Sequence, residues 1–493
     1  MLLVDAGDVF QGTLESNLGE GTVMIAAYAV LGYQAVAVGN HEFDFGPAGA
    51  AVTPTGAGED ARGALKARAA EAPFPFLAAN LLDGASKRRV DWPNMPATAT
   101  VDIAGVKVGI VGATTEETLA TTLRSNVSDL AIAPLVEALG REAAALRKAG
   151  AQLVVAAVHA GGKCERFSGS VEADGCEAES EIFRVARALP AGAVDVIVAG
   201  HTHAGLAHRV NGVAIIESTS YGRAFGRVDL TLGGSPMAPT ASRIFPPRTI
   251  CETGEGATCA GGSYEAAPVV ADAKVAAAIA PHVDQARHKR NAKVGVQVEG
   301  PLRRAYAEES ALGNLFADLT RAAVPATRTV VGLMNGGGLR ADLPAGELLY
   351  GQLYEAFPFD NKVAVVTIKG AELAALLAHH LASGGGILSL SGVQAAAACK
   401  AGKLVVTLRR RPGGQPLRAE ETLDLVASDF LLTGGDGFWG SLPIPRVDTK
   451  DLLLRDAWAA GLAKRGKVRE AEVLDARAPR LVFPGKRPVR CKE

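Results

Sequence analysis

Over the first half of this chain, short β-branched runs recur, and several of them end directly on a polar side chain. AVAVG, VKVGIVG, LVVAAVHA, VDVIVAG and VAIIES punctuate residues 1 to about 245, alternating with Ala-rich stretches such as 134–149 (PLVEALGREAAALRKA). Runs of period two or continuous apolar character, separated by helical periods, predict a layered α/β fold. Asp8 follows LLVDAG, Asn40 and His41 follow AVAVG, His159 closes VVAAV, and His201 and His203 follow VIVAG. A sheet fixes the backbone at strand ends while the loops there supply variety, so functional groups collect at such places.

With 493 residues the chain is long enough for two to four domains, each with its own core. Residues 246–268 (FPPRTICETGEGATCAGGSYEAA) are rich in Gly, Pro, Thr and Cys and read as a linker or surface loop. Val275, Ile279, Val283 and Ala286 then recur at helical spacing behind Asp272, a fitting N-cap, which predicts a helix over 272–290. Past residue 292 the pattern resets. Helices near 309–323 and 370–383 and strands at 328–334, 362–368, 403–409 and 422–427 suggest a second α/β or α+β domain. The expected organisation is therefore a first domain over 1–245, a linker and interdomain helix over 246–291, and a second domain over 292–493.

Composition narrows the partners. Lys and Arg total 51 against 52 Asp and Glu, with no long block of one sign, so nucleic acid is not the expected partner. No apolar run reaches the roughly 18–20 residues that span a bilayer. Six cysteines are present: Cys164 with Cys176 and Cys251 with Cys259 each enclose a short polar loop, while Cys399 and Cys491 are left over. Two close pairs suggest disulfides and an oxidising compartment. The first residues, MLLVDAGD, enter an apolar strand at once and carry no export signal of their own.

Four of the nine histidines lie at or just past predicted strand ends, in GNHEFD, VHAGG and GHTH. Carboxylate, amide oxygen and imidazole together suit borderline divalent ions such as Zn²⁺ or Mn²⁺. Two such ions about 3.5–4 Å apart would clamp a phosphate for in-line attack by water. The residues thus point to metal-assisted phosphoester hydrolysis.

LLVDAGDVFQGT (2–13), VGNHEFDFG (38–46), VVAAVHAGG (154–162) and VAGHTHAG (198–205) stand in an order that resembles the calcineurin-like metallophosphatases, and specifically the 5'-nucleotidase family. The resemblance implies a layered metallophosphatase β-sandwich flanked by helices, followed by a second α/β domain that binds a nucleotide. It also implies two divalent metal ions, Zn, Mn or similar. Asp8 would bridge them, Asn40, His159 and His201 would hold one, and His203 the other. His41, paired with Asp44, would stabilise the transition state or protonate the leaving group. Family members also carry an upstream DxHG strand that supplies two further ligands, and this chain starts at the family's second block. The expectation is a mononuclear, weakly active or inactive protein with an exposed sheet edge, either a fragment or the product of a late-assigned start. Its full-length form would carry a signal peptide and act in the periplasm or outside the cell.

EESALGNLFADL (308–319), MNGGGLRADLPAG (334–346), FPFDNK (357–362) and SDFLLTGGDGF (428–438) resemble the second-domain blocks of the same family. By that resemblance Arg340 binds substrate phosphate, Asn335 touches the base, Phe359 and Phe430 sandwich the base, and Asp436 bonds the ribose hydroxyls. Gly337, with its neighbours, lets the backbone approach the ligand closely. Where many members carry a phosphate-binding Arg before the ES block, this chain reads YAEES, with Arg303 and Arg304 a few residues earlier. The expected activity is release of nucleoside and phosphate from a 5'-nucleotide. A 2',3'-cyclic nucleotide phosphodiesterase, a nucleotide-sugar hydrolase and a non-catalytic nucleotide-binding protein are the alternatives.

Overall fold

The computed structural model describes residues 1–49, 51–56, 58–167, 175–234, 238–250, 263–326 and 328–491. It divides into two compact units, Met1–Val283 and Asp284–Glu493, each with its own apolar clusters. The division falls within the helix Ala273–Arg290, whose N-terminus is capped as expected: Lys274 N and Val275 N donate to Asp272 Oδ1 at 2.8 and 3.1 Å.

Unit 1 is mixed α/β. A three-stranded parallel sheet (Val4–Asp5, Ala35–Ala37, Phe76–Leu77) has Val4–Asp5 at one edge. A six-stranded sheet runs in the order Gly205–Val210, Val213–Ser218, Val196–Ala199, Leu153–His159, Val106–Thr114, Thr98–Ile103. Its three central pairings are parallel, so their carboxyl ends point the same way. The two sheets touch where Ile110 packs on Ala35 and Leu77. Gly112 lies at this crossing, because a Cβ there would come within 2.2 Å of Leu77 Cβ. Helices Leu135–Lys148 and Glu181–Ala188 bury Leu139, Ala143, Ile182 and Phe183 against the larger sheet.

One boundary differs from expectation. Residues 246–249, read as the start of a linker, continue the strand Ala238–Thr249, paired antiparallel with Ala224–Gly233. Pro246 and Pro247 are accommodated because the two of them oppose the single Gly226 in a bulge, and the two-stranded ribbon asks nothing of their missing N–H groups. The Arg227 and Arg243 guanidinium groups lie 4.9 and 4.5 Å from the Phe245 ring.

Unit 2 is built on the five-stranded sheet Leu388–Ser391, Thr329–Asn335, Thr422–Ser428, Lys362–Lys369, Asp448–Leu453. Ala311–Ala322 and Gly370–Ala382 are the expected helices. The ES block begins the first: Ser310 Oγ accepts from Gly313 N at 3.1 Å, and Glu309 accepts from Asn314 Nδ2 and Arg480 N. The cysteines need a correction. Cys164–Cys176 is a disulfide, but Cys399 and Cys491, read as left over, also bond to each other. The parallel pairing of Ala395–Ala396 with Leu481–Val482 delivers the distant C-terminal segment to the strand that carries Cys399. The Cys251 and Cys259 pair lies outside the described residues.

His380 is buried in unit 2 beside Phe438. Burial, with His379 and Arg487 alongside, pushes its pKa down to about 4. The fold therefore prefers the neutral ring, and this contribution is full above the unfolded value near 6.5 and lost as pH falls toward 4. His380→Leu is expected to gain roughly 2–3 kcal/mol on the wild type between pH 7 and pH 4.5, read from urea midpoints at the two values. An equal acid response in both proteins would contradict this.

Candidate active site

Asp8, Asn40, His159 and His201 come from four different strand ends and meet at one place. Asp8 follows Val4–Asp5, Asn40 follows Ala35–Ala37, His159 closes Leu153–His159, and His201 lies just past Val196–Ala199. His159 Nε2 is 3.1 Å from Asp8 Oδ2 and 3.0 Å from Asn40 Oδ1. His201 Nδ1 is 3.0 Å from the same Asn40 oxygen. Asp8 and His201 both adopt left-handed backbone, with φ of 61° and 76°. That conformation costs a non-glycine residue of order 1 kcal/mol and persists where surrounding contacts dictate it.

Those contacts are hydrogen bonds to the loops. Asp8 Oδ1 accepts from His41 N at 2.9 Å, and the buried Glu42 accepts from Gly39 N, Asp8 N and Val9 N at 2.6, 3.0 and 2.6 Å. Glu42 thereby staples the GNHE loop to the GD loop. Burial and the nearby Asp8 charge push its pKa up to about 7. Gly39 is required by space, since a Cβ would sit 2.3 Å from Asp8 Oδ1. Glu217 does the same work for the GHTH loop, taking the Thr202 hydroxyl at 2.8 Å; burial pushes its pKa up to about 8. Neither glutamate stands out in the sequence, although Glu42 lies inside a recognised block.

The donor set fits a cation. His159 Nδ1 is 2.8 Å from the Ala6 carbonyl, so it carries the proton and leaves the Nε2 lone pair facing two oxygens. Asn40 Nδ2 donates to the Thr121 carbonyl at 3.4 Å, which turns Oδ1 toward both imidazoles. Lone pairs crowded at 3 Å need a proton or a metal between them. With a proton alone, burial disfavours a charged His159 but the Asp8 carboxylate outweighs it and lifts the pKa to about 9. Asp8 itself is destabilised as an anion by burial, yet the His159 and His41 charges hold it well below the usual carboxylate range.

His41 and Asp44 form a pair, with Nδ1 to Oδ2 at 2.6 Å, and Gln11 Nε2 donates to the same carboxylate oxygen at 3.1 Å. His203 is exposed, with φ of 57°, and its ring is 6.1 Å from Tyr221.

In unit 2, Asn335 Nδ2 donates to Asp436 Oδ2 at 2.9 Å. A Cβ on Gly337 would lie 3.8 Å from both polar atoms and from Tyr306, so these groups frame one concavity. The Arg340 guanidinium lies 5.2 Å from the Phe359 ring. The buried Arg455, which the sequence reading passed over, fixes that loop: it pairs with Asp360, donates to the Phe357 and Phe359 carbonyls at 3.1 and 3.0 Å, and stacks 3.9 Å from Tyr354. Phe430 lies against Gly435, and Asp429 ahead of it accepts from Phe430 N and Lys362 N at 2.8 and 3.2 Å.

Residues 286–441 match the 5'-nucleotidase C-terminal domain. The crystal structure of a 5'-nucleotidase precursor from Thermus thermophilus superposes with a TM-score of 0.76 at 25% identity, over 98% of this chain and 90% of that one. Residues 286–441 carry the C-terminal domain of the 5'-nucleotidase family, and the chain as a whole is similar to 5'-nucleotidases. Protein UshA of Yersinia enterocolitica is 25% identical to this chain over 477 residues, covering 91% of this chain and 79% of its own length. The 5'-nucleotidase of Vibrio cholerae is 24% identical over 468 residues, covering 89% and 78%.

Proposed function

We propose that the chain is a divalent-metal-dependent hydrolase of nucleotide phosphoesters that releases nucleoside and phosphate from a 5'-nucleotide. The observation that carries this reading is the convergence of the Asp8, Asn40, His159 and His201 lone pairs next to the His41–Asp44 pair. These four residues would hold a Zn²⁺ or Mn²⁺ ion, with His203 a separate ligand for a second. When bound, such an ion polarises a phosphoryl oxygen and acidifies a water toward neutral pH. Asp44 orients the His41 ring and supports its protonated form, so that His41 can pass a proton to the departing nucleoside oxygen. Arg340 offers a planar donor fork to phosphate oxygens, Phe359 and Phe430 offer apolar faces to the base, and Asp436 accepts from ribose hydroxyls. Asn335 holds Asp436 in place through its amide, and Gly337 keeps the floor of that concavity open.

The test is phosphate release from nucleoside monophosphates by protein loaded with Mn²⁺ or Zn²⁺, together with metal analysis. About one ion per chain, bound at the four-residue centre, and weak phosphate release that a chelator abolishes and metal restores are expected. Metal-loaded protein that releases no phosphate from any nucleotide would sink the reading. Phe430→Ala is expected to raise KM for a nucleoside monophosphate by about 10- to 100-fold with kcat nearly unchanged, because one stacking face is worth about 1–3 kcal/mol. An unchanged KM would remove Phe430 from the nucleoside site. No helix among the described residues is long and apolar enough to cross a membrane. The Cys164–Cys176 and Cys399–Cys491 disulfides suit an oxidising compartment, the periplasm or the exterior.

A further inference from the structure

The hydrolase reading makes no use of a sulfur and imidazole cluster elsewhere in unit 1. Cys164 and Cys176 face each other as an antiparallel bridge and share a disulfide. His208, on the strand Gly205–Val210 and fully buried, brings Nε2 to 3.5 Å from Cys176 Sγ. One ligand atom from each of the three residues lies within 4.8 Å of the other two. A tetrahedral centre with metal–sulfur bonds of about 2.3 Å and metal–nitrogen bonds of about 2.0 Å has an N···S edge of about 3.5 Å. The imidazole is already at that distance, and cleavage of the disulfide frees the sulfurs to part to an S···S edge of about 3.8 Å.

We propose that Cys164, Cys176 and His208 form a metal site for a soft cation, Zn²⁺ or Cu⁺, that opens when this disulfide is reduced. A dithiol reductant delivers two electrons and two protons to the Cys164–Cys176 bond, leaving two thiols and the reductant as its own disulfide. Each thiol releases its proton as its sulfur takes the cation. His208 supplies the third ligand through Nε2, and the half-buried position of both cysteines leaves a fourth place for water. Thiolates select soft cations, so this site differs in kind from the oxygen- and nitrogen-lined centre at Asp8.

Reduced, metal-free protein titrated anaerobically with Cd²⁺ or Co²⁺ tests the proposal through the thiolate-to-metal charge-transfer band, which oxygen and nitrogen ligands do not produce. The wild type minus the C164S/C176S variant is expected to show a band that saturates at one equivalent and is absent before reduction. Thiols of the remaining cysteines contribute to both proteins and cancel. His208→Ala is expected to keep the band but weaken binding by about tenfold or more; His208→Gln, which preserves volume, serves the same purpose if the alanine variant does not fold. A difference spectrum without a band, or histidine variants that bind as tightly as the wild type, would overturn the proposal.

Discussion

Asp8→Asn is expected to lower kcat/KM at least about a thousandfold, roughly 4 kcal/mol of transition-state stabilisation, and to strip most of the metal. Asp8 is the only anionic side chain among the four that converge, so the variant leaves a neutral donor set. The change is nearly isosteric, and the new amide can donate to His159 Nε2, which in the wild type faces Asp8 Oδ2 at 3.1 Å. The substituted protein therefore satisfies the buried imidazole without a cation, and the fold is expected to persist. Metal analysis, phosphate release and near-ultraviolet circular dichroism on the same sample separate loss of metal from loss of structure. Full metal content in a folded variant would refute the assignment of Asp8.

His41→Gln acts differently. Metal content is expected to stay at the wild-type level while kcat falls by about 10²- to 10⁴-fold, the usual contribution of a positioned proton donor. The loss should depend on the leaving group. A nucleoside 5'-oxygen departs as a poor leaving group and needs the proton, whereas p-nitrophenolate does not, so kcat for p-nitrophenyl phosphate should fall far less. Equal losses on the two substrates would mean that His41 stabilises charge on the phosphoryl group instead. Asp44→Asn leaves a hydrogen-bond partner for the His41 ring, which lies 2.6 Å from Asp44 in the wild type, but removes the carboxylate charge, and its effect should be smaller.

Much of this site was legible because strand-end chemistry is local. Asp8, Asn40, His159 and His201 each follow an apolar run within a few residues, and the parallel strands leave them on one side. The parts that were not legible depend on distant geometry. Glu42 and Glu217 look like ordinary acids in a row; burial and their backbone partners give them their place. Arg455 reads as one more surface arginine on a helix, yet it braces the Phe359 loop nearly a hundred residues earlier. Cys399 and Cys491 are 92 residues apart, and only the pairing of Ala395–Ala396 with Leu481–Val482 makes them neighbours. The strand through 246–249 was hidden by two prolines that a bulge opposite Gly226 absorbs.

The left-handed backbone at Asp8 and His201 has a consequence for how the two units respond to their surroundings. In unit 1 the carboxylate, the amide and the two imidazoles are held together at a conformational cost, and a cation bound as proposed would offset it, linking its affinity to the stability of unit 1. The free-ion concentration around the protein would then act on unit 1 as a stabiliser that can be added or withdrawn. None of the four converging residues belongs to unit 2, whose apolar clusters surround its own sheet.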